Sequence, residues 1–214
     1  GRLFGFVAGI ALLELSDTNQ PLLLQLAEKA PGTFQHSVQV ASLAESAAKE
    51  IGANPLLARA GALYHDIGKI ENPFYFVENQ TGNLNPHSMM SPSQSAAIVR
   101  SHVTEGITLG RKHRLPAIIQ EFIASHHGTS KIYYFYAEEM AKHGQVEHPE
   151  EFAYPGPRPT RREVAICMMA DSVEAASRAL ANSDRDSIDA LVEQIIDRQI
   201  TEHQLSQAEL SFAE

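Results

Sequence analysis

The stretch ALYHDIGKIEN, residues 62–72, sets His65 beside Asp66 at the end of an apolar run, with Lys69 three positions on. Adjacent side chains on a helix project about 100° apart. Such a pair arises by chance in many chains. The chemical alternative is that both residues ligate metal and the rest of the chain supplies their partners. The chain has 10 histidines. His36 is expected in the first turn of its helix, His102 near the end of another, and His126-His127 in the last turn before Gly128. Asp171 sits inside an otherwise apolar helix, where an ionised carboxylate is costly without a partner. Each signal alone has an ordinary reading. A helical histidine is usually a satisfied core or surface residue. A His-His pair before glycine can cap carbonyls, and Asp171 can pair with Arg161, Arg162 or Arg178. The combined set, five histidines and two aspartates on five successive helices, favours metal.

Bulk properties narrow the partners. The 214 residues suffice for one domain with a real core. Apolar content of 43 % and charged content of 20 % are those of a globular protein. The net charge of −9 argues against a basic surface gripping polymeric nucleic acid. It leaves room for a small phosphorylated substrate held through metal ions. The single cysteine, Cys167, rules out an internal disulfide and points to a reducing compartment. Residues 1–14 form an apolar N-terminal segment too short to span a bilayer, which needs ~20 residues. It reads either as a core or interface helix or as a membrane-proximal linker, leaving 15–214 as the domain.

Helices must position the set, and the chain reads as all-α. Residues 34–51 carry apolar positions at helical spacing, with Thr33 as N-cap and Gly52 beyond the C-terminus. Asn54-Pro55 opens a helix that stops near Gly68, and Ser91-Pro92 and Pro116 open two more. Between them, residues 71–90 lack a period and read as a long loop, either a cover for the site or plain surface. The segment KIYYFYAEEMAKHG predicts a helix whose aromatic turn, Tyr133 to Tyr136, offers either purine stacking or core packing. After a Pro-rich connector, Thr160 and Glu163 fit a capping box for the helix carrying Asp171. A last amphipathic helix covers about 186–200.

The order His…His-Asp…His…His-His…Asp resembles that of the HD-domain phosphohydrolases in their two-metal form. The phrases GALYHDIGK, YFVENQTGNLNPH, ASHHGTSKIYYFY and MMADSVEAASRAL are similar to the cytoplasmic domain of the seven-transmembrane HD-domain cyclic di-AMP phosphodiesterases. The likeness runs from Leu13 to about Leu191. Gln35 stands where some relatives carry a second histidine, outside the ligand set.

The resemblance implies an all-α HD-domain helical bundle with a di-metal site. His36, His65, Asp66 and Asp171 would hold one divalent transition-metal ion. His102, His126 and His127 would hold a second, with Asp66 bridging, and iron or manganese is the expected pair. Cyclic di-AMP would be hydrolysed to linear pApA by two-metal activation of a bridging water. Lys69 would hold a phosphate oxygen as a point charge, against the alternative of an exposed lysine near a helix end. The protein would be the cytoplasmic domain of a bacterial inner-membrane protein, anchored through a domain absent from this chain. His87, His113, His143, His148 and His203 fall outside the pattern. Rival readings are another nucleotide (cyclic di-GMP, a dNTP or guanosine tetraphosphate) or a sensor that binds without cleaving. The cyclic di-GMP branch usually carries GYP after the HD pair, and this chain has no GYP.

Overall fold

A computed structural model of the chain describes residues 9–82, 85–180 and 184–210. Residues 1–8 of the N-terminal segment lie outside the described residues. Prolines pre-set the first turn of four helices: α2 (Pro21–Lys29), α3 (Pro31–Glu50), α4 (Pro55–Tyr64) and α5 (Pro92–Lys112). They follow the short α1 (Gly9–Leu15). Side-chain caps complete two of these starts. Asn54 accepts the Leu57 N–H at 3.1 Å, and Ser91 and Gln94 form a capping box. The remaining helices are α6 (Ala117–Ser125), α7 (Tyr133–His143), α8 (Arg162–Ser177) and α9 (Arg185–Thr201). Among the described residues there is no strand, only an isolated bridge between Lys131 and Ala153.

Four local expectations are corrected. α3 starts at Pro31, so Thr33 lies inside its first turn and His36 in its second. The Thr33 hydroxyl does not cap; it donates to Glu78 at 3.0 Å. The Thr160–Glu163 box does not form either, because both side chains find partners on other elements. Thr160 donates to Glu121 at 2.8 Å, and Glu163 accepts the Asn54 N–H at 2.9 Å. α4 ends at Tyr64, and a 3-10 turn, Ile67–Ile70, follows. α5 runs on to Lys112, which leaves His102 in mid-helix rather than near an end.

The segment 71–90 consists of short 3-10 turns, among them Pro73–Tyr75 and Val77–Asn79, and residues 83–84 lie outside the described residues. Its first half is docked through Asn79. Asn79 accepts the Thr33 N–H at 3.1 Å and donates to the Thr33 hydroxyl at 2.8 Å. In the aromatic turn, Phe135 is buried against Ala96 and Phe152, with Tyr136 packed on them. Tyr133 and Tyr134 are exposed.

α3 lies along α2, α4 and α8, while α6 packs on α4 and α5. Leu23, Leu26, Leu63, Ile67, Ile119, Phe122 and Ile123 fill the space between them. Leu12 of α1 also enters this core. Among the described residues no helix is long and apolar enough to cross a membrane. Buried within the apolar interior are His36, His65, Asp66, His102, His126, Asp171 and Glu174. Burying so many polar groups together is unfavourable unless something binds them.

Candidate metal centre

The centre is built where the end of α4 meets the middle of α5. Gly68 lies in the turn after Asp66, and a Cβ there would overlap the carbonyl oxygen of His102. Gly106, one helical turn beyond His102, faces Gly68 backbone to backbone. This contact brings Asp66 up against His102. α3 contributes His36, α8 contributes Asp171 and Glu174, and the end of α6 contributes His126. Gly128, at φ +51°, turns the chain immediately after His127.

Asp66 is the shared member. Its Oδ2 lies 3.6 Å from His36 Nε2 and 3.2 Å from His65 Nε2. Its Oδ1 lies 3.3 Å from His102 Nε2 and 3.5 Å from His126 Nε2. Asp171 Oδ1 lies 2.9 Å from His36 Nε2 and 3.8 Å from His65 Nε2. Two sets of four result: His36, His65, Asp66 and Asp171, then Asp66, His102, His126 and His127. Within each set the potential ligand atoms all lie within 4.8 Å of one another.

Hydrogen bonds on the far side of four of the five imidazoles fix their tautomers. His65 Nδ1 donates to the Ala62 carbonyl at 2.6 Å and His102 Nδ1 to the Val99 carbonyl at 2.5 Å. His126 Nδ1 donates to the Phe122 and Ile123 carbonyls, and His36 Nδ1 to the Glu174 carboxylate. Nε2 is then the atom that each of these four imidazoles presents inward, with a lone pair available once it is free of a proton. His102 Nε2 and His126 Nε2 face each other at 3.3 Å, acceptor against acceptor. His65 Nε2 and Asp66 Oδ1 are buried without a hydrogen-bond partner. Lone pairs converging in an apolar interior are stabilised by cations, and imidazole with carboxylate is a transition-metal donor set. The residues present therefore fit metal ions.

Electrostatics divides the centre. Burial lowers the imidazole of His36, but hydrogen bonds to Asp171 and Glu174 outweigh it and hold His36 above its ordinary value. Burial acts the same way on His65; the negative charges of Asp66 and Asp171 lift it to about 10. Burial opposes ionisation of Asp66, yet the His65 and Lys69 charges keep its carboxyl well below the usual range. Asp171 is held down by His36 and His65 against its own burial. Burial pushes His102 down to about 3 and His127 well below its ordinary value.

Lys69 is not the exposed lysine of the alternative reading. Its Nζ lies 2.7 Å from Asp66 Oδ2 and 2.8 Å from Glu78 Oε1, above the ring of Phe76. Burial lowers its pKa, but the two carboxylates reverse that and keep it charged.

All seven residues singled out for metal thus come together. His113, His143, His148 and His203 are exposed, and His87 instead packs on Phe135. Three residues of the centre carried no clear signal. Glu174 was legible only as a second acid one turn after Asp171. Glu78 came from an aperiodic segment and Tyr154, stacked on His127, from the Pro-rich connector.

Comparison with known proteins accords with this geometry. The chain is 44% identical over 211 residues to cyclic-di-AMP phosphodiesterase PgpH of Bacillus subtilis, covering 99% of this chain and 30% of that protein. It is 39% identical over 212 residues to PgpH of Listeria monocytogenes, covering 99% of this chain and 29% of that protein. The chain thus spans about 30% of the length of these relatives. It superposes on the crystal structure of the L. monocytogenes PgpH HD domain in complex with cyclic-di-AMP with a TM-score of 0.88. That match covers 92% of each chain at 38% identity. The HD domain profile matches residues 33–176, a span that takes in every clustered histidine and aspartate, and the chain belongs to the HD domain family.

Proposed function

We propose that this chain is a metal-dependent phosphodiesterase that hydrolyses cyclic di-AMP to linear pApA. The observation that carries the reading is the Asp66 carboxylate, whose two oxygens face two different histidine groups. The likeness to a domain crystallised with cyclic-di-AMP supports the substrate. His36, His65, Asp66 and Asp171 would hold one divalent ion, and His102, His126 and His127 a second, with Asp66 common to both. The five imidazoles favour transition metals, and iron or manganese are the ions proposed. Such a pair supplies charge neutralisation at phosphorus and a water acidic enough to ionise near neutral pH.

The chain's own groups set the rest. Four carboxylates (Asp66, Glu78, Asp171, Glu174) stand around the centre with the cations Lys69 and Arg178 and the raised imidazoles of His36 and His65. Asp66 and Asp171 keep their negative charge at neutral pH and so favour cation binding over protons. Lys69 commits two of its N–H groups to Asp66 and Glu78 and has a third for a phosphate oxygen. Hydrolysis adds water across one P–O3′ bond. Hydroxide goes to phosphorus, leaving a 5′-phosphate, and a proton goes to the departing 3′ oxygen.

Residues 15–214 would form the catalytic domain, with 1–14 leading to a membrane-anchored part outside this chain and the domain on the cytoplasmic side. The experiment is turnover of cyclic di-AMP by the Mn²⁺-loaded protein, with pApA identified by chromatography. Asp66→Ala should abolish it. Robust turnover by that variant, or turnover of cyclic di-GMP but not cyclic di-AMP, overturns the proposal.

A further inference from the structure

Tyr154 comes from the Pro-rich connector between α7 and α8 and lays its ring over His127. The ring centroids are 4.1 Å apart and the planes 23° from parallel. The same ring stands edge-on to His102 at 5.9 Å. The connector is fastened beside the tyrosine. Arg100 Nη1 donates to the Glu150 and Ala153 carbonyls at 3.2 Å each. The Ile132 N–H donates to the Phe152 carbonyl at 2.7 Å, and the Tyr154 N–H to the Ser130 carbonyl at 2.9 Å. Arg100 precedes His102 by two residues, and Ser130 follows His127 by three. The connector is therefore tied to the segments that supply His102 and His127.

His127 is the imidazole that needs this support. His36, His65, His102 and His126 each place one ring nitrogen on a carboxylate or backbone carbonyl. Such bonds fix the orientation of a ligating imidazole. Among the described residues His127 has no equivalent. Asp171 Oδ2 lies 3.7 Å from its Nδ1, beyond hydrogen-bond range. Its side chain is 23 % exposed, where the other four are at most 4 %. A ring free to turn at the rim makes a poor ligand. Face-to-face contact with the phenol removes that freedom while leaving the nitrogens available.

Resting on the two-ion reading above, we propose that Tyr154 is the positioning residue for His127. Through it, the connector sets the affinity of the cation position formed by Asp66, His102, His126 and His127. Among the described residues, no hydrogen bond or ring contact ties the connector to His36, His65 or Asp171 of the other position.

The test is a calorimetric titration of metal-stripped protein with Mn²⁺, with electron paramagnetic resonance reporting the spin-coupled pair. Wild type and Tyr154→Phe, which keeps the stacked ring, should each take up two ions alike. Tyr154→Leu should bind one ion as wild type does and the other about tenfold or more weakly, with loss of the coupled signal. Arg100→Met, which frees the connector and leaves the ring in place, should give a smaller loss at the same position. Unchanged two-ion binding by Tyr154→Leu overturns the proposal. So does equal weakening of both positions, or a Phe variant as impaired as the Leu variant. Uptake of only one ion by wild type overturns the two-ion reading itself, and this proposal with it.

Discussion

Glu174 accepts the Nδ1–H of His36 across 138 residues of sequence, joining the second turn of α3 to the last turns of α8. The bond turns the His36 Nε2 lone pair inward, toward Asp171 and Asp66. Arg178 holds the same carboxylate from its outer side at 2.6 Å. Glu174→Gln should therefore weaken one Mn²⁺ position about 10–100-fold and leave the other intact. Titration of metal-stripped protein reads this directly, and unchanged affinity at both positions would contradict it.

Lys69 is the counter-charge that lets Asp66 and Glu78 stay ionised in the interior; their side chains are 1 % and 9 % exposed. Lys69→Met takes the ammonium from both carboxylates, leaving Asp66 with the His65 charge and Glu78 with the Thr33 hydroxyl. Removing one member of a buried pair costs about 3–5 kcal/mol. We expect a loss of that order in urea unfolding of chelator-treated protein. Mn²⁺ should recover part of it, because a cation substitutes for Lys69 at Asp66 but not at Glu78.

Gly68 has no room for a side chain, since a Cβ would overlap the His102 carbonyl. Gly68→Ala should push the turn away from α5, separate Asp66 from His102 and remove most hydrolytic activity. Gly52→Ala is the contrast. There φ is +67° but nothing lies within 4 Å of the added carbon. It should cost only about 1–2 kcal/mol of stability and leave activity unchanged. Parallel melting and turnover assays separate the two effects.

The metal-free protein should be most stable near pH 6.5. His36 and His65 have folded values above the ordinary 6.5. Their contribution is full below that pH and is lost as pH rises through the folded value, about 10 for His65. His102 and His127 lie below the ordinary value, so their contribution is full above it. That contribution is lost as pH falls, toward about 3 for His102. The depressed Asp66 and Asp171 add to the loss at the acid end. Thermal unfolding in chelator from about pH 4 to about pH 10 checks this. A melting temperature still rising at the alkaline end would sink it.

Much of this was legible in the sequence because the informative residues are costly where they stand. Asp171 in an apolar helix and His65-Asp66 at the end of another had to be explained, and the all-α fold and the HD domain family followed as expected. The caps were less legible. Thr33 and Thr160 had the right neighbours for local bonds, but Glu78 and Glu121 approach from distant parts of the chain and take their hydroxyls. Tertiary partners overrode a local rule that carries no knowledge of them. Tyr154 was hidden for a related reason. Its role comes from the backbone ties that bring the connector back over α5, and those ties involve carbonyls, which every residue possesses.

The meeting of Gly68 and Gly106 has a further consequence in evolutionary terms. Because backbone touches backbone there, neither position has slack to lend the other. A drifting lineage that gained a methyl group on the turn could restore the fit only by displacing α5 along its length, taking His102 with it. The two glycines act as one inherited character, and losing either is a route by which a descendant domain could keep the helical bundle while giving up its chemistry.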